Sequence, residues 1–198
     1  MANIITLTRF PLLFFYLGLL YYGGSQARAW AVPLILFIIL LDGVDGIVAR
    51  RRNETSLLGS VLDIATDRTL EFVLWVIFAD LDLIPVVVPI IVLTRGTSVD
   101  AVRAVGMRHG QAAFEQLSHP LSRFLVSSRT MRFLYGGVKA AAFAFLSLDW
   151  AVQLGSSPAK DLVHTTALAL TWISVAVCLA RGIPVLVEGY FTLQAEEA

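Results

Sequence analysis

Four aspartates set the chemistry open to this sequence. Asp42 and Asp45 stand at the end of one apolar stretch, and Asp63 and Asp67 lie inside the next. Carboxylates at such depth are costly and rare in membrane-spanning runs, so four of them demand a reason. On a helix, positions three, four and seven apart share a face. That spacing lines up Asp42, Asp45 and Ala49 on one helix and Asp63 with Asp67 on its neighbour, which returns antiparallel after a short loop. Where those faces meet, four acids converge, and they repel one another and are driven to protonate unless a cation neutralises them. Oxygen ligands alone select a hard divalent ion such as magnesium, manganese or calcium. The lack of cysteine and of nearby histidine argues against zinc.

The residues between the acids add a second feature. Gly43, Gly46, Ala49 and Gly59 are small enough for helix backbones to pack closely in lipid. Beside carboxylates, they also open a groove where a flat base and a diphosphate can approach. Arg50 supplies a fixed cation able to fork onto phosphate oxygens, or serves as a positive-inside anchor, the role assigned to Arg51 and Arg52.

The elements that must position these groups are apolar helices. The 198 residues are 57% hydrophobic and 15% charged, with a mean hydropathy of +0.76, too apolar for an ordinary soluble domain. A helix needs about 20 apolar residues to cross a bilayer. Six stretches offer a crossing: 10–22, 29–50, 57–79, 83–104, 133–150 and 162–186. The fold expected is therefore an all-α integral membrane protein of six transmembrane helices, with a short N-terminal interfacial helix starting near Asn3 and a single domain over 1–198. Trp30, Trp75 and Trp150 lie towards span ends, where indole rings prefer the interface. The opening apolar run imitates a signal peptide, but Tyr21-Tyr22-Gly23-Gly24 follows it in place of a cleavage pattern.

Loop charges orient the spans. Arg51 and Arg52 follow the second, and Arg108, Arg123, Arg129 and Arg132 follow the fourth, while the opposite loops hold little beyond Arg28 and Lys160. The positive-inside rule then places both termini and the acidic site in the cytoplasm. Segment 105–128 reads as an interfacial helix or a solvated loop. Lys plus Arg equals Asp plus Glu at 15 each, so net charge gives no reason to expect a nucleic-acid partner. The lone Cys178 reads as a small hydrophobe, and His109, His119 and His164 have no metal-binding spacing.

The segment from Asp42 to Asp67 resembles the motif of the CDP-alcohol phosphatidyltransferase family. That motif runs Asp, two residues, Asp-Gly, two residues, Ala-Arg, eight residues, Gly, three residues, Asp, three residues, Asp. Asp42, Asp45, Gly46, Ala49, Arg50, Gly59, Asp63 and Asp67 fill its fixed positions with every spacing kept. Asn3, Thr6 and Arg9 are similar to the family's N-terminal Asn-x-x-Thr-x-x-Arg pattern. The resemblance implies two divalent ions, magnesium or manganese. Asp42, Asp45 and Asp63 would hold one, Asp63 and Asp67 would contribute to the second, and Asp67 would be the general base. Gly46, Ala49, Gly59, Arg50, Asn3 and Thr6 would admit the nucleotide and diphosphate of CDP-diacylglycerol. It also implies a homodimer in a bacterial inner membrane.

The acceptor is less directly written. Arg95 and Arg103 lie eight apart on roughly one face of the fourth span, and a guanidinium there needs an anion. The stretch resembles the arginine-bearing segment of phosphatidylglycerophosphate and phosphatidylinositol phosphate synthases, although Gly96 stands where glycerophosphate enzymes usually carry an acid. Arg129, Arg132 and Lys139 can complete an acceptor-phosphate pocket. Arg181 can join them or snorkel to the interface. Glycerol 3-phosphate leads, ahead of inositol phosphate or another polar alcohol. A cation-coupled transporter is the alternative of another class, weakened by the absence of polar groups through the opposite half and of a two-half repeat.

Overall fold

The computed structural model describes residues 2–51, 56–108, 120–153 and 158–197. Among them the chain forms seven α-helices and no strand: α1 (Ala2–Tyr22), α2 (Ser25–Arg51), α3 (Leu57–Asp80), α4 (Val87–Arg108), α5 (Pro120–Ser127), α6 (Arg129–Gln153) and α7 (Lys160–Glu197). In apolar surroundings the helix satisfies every interior backbone group within its own segment, which is why this composition folds this way.

Among the described residues four helices are long and apolar enough to cross a membrane, within Asn3–Tyr22, Ser25–Val48, Arg129–Gln153 and Lys160–Phe191. The six-span expectation is met only to that extent. Helices α3 and α4 have the length but are diluted by Asp63, Asp67, Arg68 and Glu71 in one and Arg95, Asp100 and Arg103 in the other. A separate N-terminal interfacial helix is not formed, because Asn3 belongs to the same continuous helix as the first span. Helix α5 falls inside segment 105–128, the part expected to be interfacial, and residues 109–119 with His109 lie outside the described ones.

The chain divides into two compact units. The first holds α1 to α3 with the later part of α6 and the start of α7. Helix α1 packs on both α2 and α3. Arg9 meets Asp67, and Tyr21 donates to Asp80, so α1 and α3 run parallel. Thr6 and Arg9 meet Asp45 and Asp42 in descending order, so α2 runs antiparallel to them. Ser56 starts α3: its backbone is extended and its Oγ accepts from Gly59 N at 3.0 Å, satisfying an otherwise orphaned donor. At the other end Asp82 adopts a positive φ of 56°, which aspartate tolerates better than most residues, and Pro85 follows.

Helix α6 joins through a buried hydrogen bond of 2.6 Å between the hydroxyls of Tyr16 and Ser147, and through Trp150 Nε1 donating to Leu20 O at 2.8 Å. Trp75 is fully buried with its ring centroid 4.7 Å from that of Phe143, so the expectation that it sits at the interface is wrong. Trp30 does remain exposed. His164 of α7 is held by Asp149 of α6 at 2.7 Å, a pairing invisible in the spacing of the histidines alone.

The second unit holds α4, α5, the start of α6 and the rest of α7. Its core is Val99, Val126 and Val185, flanked by Val102 and Leu186. A Cβ at Gly182 would strike the Arg95 side chain, and one at Gly189 would strike Val102. Those pairs are seven apart on both helices, so α4 and α7 run parallel along a seam that small residues permit.

Candidate metal centre

The acids meet at the end of the first unit where α1 begins and α2 ends. One carboxylate oxygen from each of Asp42, Asp63 and Asp67 lies within 4.8 Å of the others. That spread matches oxygens around one divalent ion, whose ligand distances run from about 2.0 to 2.6 Å. Asp63 Oδ1 is buried without a hydrogen-bond partner among the described residues. An orphaned carboxylate oxygen inside an all-oxygen group is the chemistry expected of a hard-cation site, so the residues present fit magnesium or manganese.

Asp45 is not part of that trio. It is 4% exposed and accepts a 2.7 Å hydrogen bond from Thr6 Oγ1. Thr6 thus acts on the aspartate face itself, and Asn3 sits one turn earlier on the same side of α1. A Cβ placed on Gly59 would come 2.9 Å from Asn3 Oδ1 and 3.1 Å from Ser56 Oγ, so a side chain here would push the Asn3 amide aside. Gly46 lies in α2 one residue past Asp45, partly exposed. Ala49 and Arg50 also belong to α2, and their side chains lie outside those described.

Arg9 is the residue that spacing undervalued. Its Nη1 stands 2.6 Å from Asp42 Oδ1 and 2.9 Å from Asp67 Oδ1, and the side chain is only 4% exposed. The one available signal was its place, with Asn3 and Thr6, on a single face at intervals of three.

The expected acceptor cations are distributed through the second unit. Arg181 is 8% exposed, so it does not snorkel. Its Nη2 donates to Val126 O at 3.2 Å, its guanidinium lies 5.7 Å from the Tyr135 ring, and Arg95, Arg103 and Arg132 are its charged neighbours. Arg95 Nε and Arg181 Nη1 are buried with no hydrogen-bond partner among the described residues. Lys139 Nζ lies 5.2 Å from the same Tyr135 ring, whereas Arg129 is exposed at the start of α6.

Among the described residues, helices throughout, four of them apolar and of membrane length, and a convergent trio of aspartates define a class: a helical membrane protein with an acidic cluster whose geometry suits a divalent cation. The sequence profile of the CDP-alcohol phosphatidyltransferase family matches residues 1–155, and the chain belongs to that family. It is 28% identical over 114 residues to a cardiolipin synthase (CMP-forming) of Streptomyces coelicolor, covering 58% of this chain and 50% of that one. It is 31% identical over 113 residues to a probable phosphatidylglycerophosphate synthase of Mycobacterium tuberculosis, covering 56% and 54%. The chain thus spans about half the length of these relatives.

Proposed function

We propose that this protein transfers the phosphatidyl group of CDP-diacylglycerol to a hydroxyl acceptor and releases CMP, as a step of phospholipid synthesis. The observation that carries the reading is the convergence of Asp42, Asp63 and Asp67 on one point within the stretch that matches the family. The words "CMP-forming" in one relative's name agree with the leaving group, and the name of the other favours glycerol 3-phosphate as acceptor over inositol phosphate.

Asp42, Asp63 and Asp67, with Asp45 beside them, would hold two ions of magnesium or manganese. When bound, such ions neutralise the diphosphate and polarise the phosphorus under attack. The chain's own groups do the rest. Thr6 fixes the Asp45 carboxylate through its hydroxyl. Asp67, at the solvent-accessible edge of the trio, takes the proton of the acceptor hydroxyl as the oxygen attacks phosphorus. Gly46, Ala49, Gly59 and Arg50, with Asn3, accommodate the nucleotide and its diphosphate. Arg95, Arg103, Arg129, Arg132 and Lys139, joined by Arg181, bind the acceptor phosphate. The functional form in this reading is a single domain of six spans, as a homodimer with the site and both termini cytoplasmic.

The test is purified protein in nanodiscs with labelled CDP-diacylglycerol, manganese or magnesium, and one acceptor at a time: glycerol 3-phosphate, inositol 1-phosphate, inositol or serine. CMP release that requires metal and one acceptor is the expected result. Metal-dependent ion flux in liposomes without CMP release would point to transport and end the reading.

Two substitutions separate donor from acceptor. Gly59→Val pushes a branched side chain against Asn3 and into the donor groove. Donor KM is expected to rise about tenfold, with folding stability held within about 1 kcal/mol because valine is no worse than glycine in a helix. Gly182→Leu drives the Arg95 side chain from its place. Acceptor KM is expected to rise about tenfold while donor KM stays unchanged. Steady-state kinetics with each substrate varied in turn check both, and a reversed pattern would remove the assignment of the two groups.

A further inference from the structure

Two of the three clustered aspartates are already gripped by a cation of the protein's own. Arg9 Nη1 alone makes both contacts, at 2.6 Å to Asp42 and 2.9 Å to Asp67, while Nε is buried with no hydrogen-bond partner among the described residues. A guanidinium that serves purely as a structural clamp on a carboxylate prefers the two-nitrogen fork. Here one nitrogen bridges two different carboxylates instead, which places a positive charge between them. Asp63, the third member, has its Oδ1 unpartnered. The cluster is thus partly compensated by Arg9, with one buried Asp63 oxygen left unpartnered among the described residues.

We propose that Arg9 is the resident counter-ion of the acid cluster: it holds Asp42 and Asp67 together in the metal-free protein and gives way when a divalent ion binds. Metal uptake is then an exchange of one cation for another. Two consequences follow from charge alone. A fixed positive charge within a few ångströms opposes an arriving divalent ion, so its removal tightens metal binding. The same removal leaves neighbouring carboxylates without compensation, so the metal-free protein is weakened until metal restores it by linkage. The inference rests on the metal reading above but assigns Arg9 a role that reading does not require.

The experiment measures manganese binding by electron paramagnetic resonance on the full chain in nanodiscs, without CDP-diacylglycerol, for wild type, Arg9→Gln and Arg9→Lys. Thermal melting is followed with and without the ion. Arg9→Gln is expected to bind manganese about tenfold tighter or more, and Arg9→Lys to stay near wild type. Metal-free Arg9→Gln should melt lower than metal-free wild type, the gap closing at saturating manganese. Wild type that binds no manganese overturns the metal reading and this inference with it. Wild type that binds, with Arg9→Gln equal or weaker, overturns the role of Arg9 alone. Should Arg9→Gln fail to fold, wild type carries the test through hydroxyphenylglyoxal labelling mapped to the Arg9 peptide. Labelling that rises on manganese addition supports exchange, and labelling that is unchanged or falls overturns it.

Discussion

Asp67→Asn is expected to reduce metal-dependent CMP release roughly a thousandfold, a loss typical of removing a general base. The substitution is nearly isosteric, and an amide oxygen can still accept from Arg9 as Oδ1 now does at 2.9 Å. The local packing of α1 on α3 is therefore retained. What disappears is the ability to take a proton, together with one charge of the trio formed with Asp42 and Asp63. Asp42 and Asp63 remain, and the Gly59 groove is untouched, so the binding of CDP-diacylglycerol, followed by displacement of a labelled nucleotide, should fall far less than turnover. The ratio of the two losses is the informative quantity. Turnover within a few fold of wild type in a folded variant would strip Asp67 of the base role. Equal losses in binding and turnover would make it a ligand only.

The acid motif was readable because the rules that place it are local. Helical spacing decides which side chains share a face, and the cost of charge in an apolar run makes Asp63 and Asp67 conspicuous without any knowledge of the fold. The same rules gave no partner for Arg9, since Asp42 lies 33 positions away and the contact exists only once α1 packs on α2. Asp45 is placed by a tertiary contact as well: its carboxylate accepts from Thr6 Oγ1, 39 positions away, while Asp63 remains its charged neighbour. Trp75 failed for a different reason: distance from a helix end says nothing about which side of the helix meets protein, and its side meets Phe143. The six expected spans fall to four because in α3 and α4 the residues that carry the proposed chemistry are the ones that lower apolarity. The burial of Arg181 likewise depends on α7 meeting α5 at Val126 O, a tertiary contact that no window of sequence contains.

Trp75→Ala is expected to cost about 3 kcal/mol of stability, the lower end for truncating a large buried aromatic. The lower end applies because lipid tails are as apolar as the core, which leaves lost packing and the cavity to supply the penalty. The ring is fully buried and tilted at 59° on Phe143, which also stacks at 6.0 Å on Phe78, so its removal breaks the aromatic seam between α3 and α6. Trp75 Nε1 is itself buried without a hydrogen-bond partner among the described residues. Trp75→Phe keeps an aromatic ring in the seam and deletes that unsatisfied donor, which by itself costs about 1 to 3 kcal/mol. The two variants should therefore diverge in thermal melting in the same detergent, alanine well below wild type and phenylalanine level with it or above. Phenylalanine falling as far as alanine would mean that the indole N–H has a partner and that a hydrogen bond, not ring packing, joins the two helices. An unchanged melt for alanine would mean that α3 does not lean on α6 at this position and that α1 alone supports the helix that carries Asp63 and Asp67.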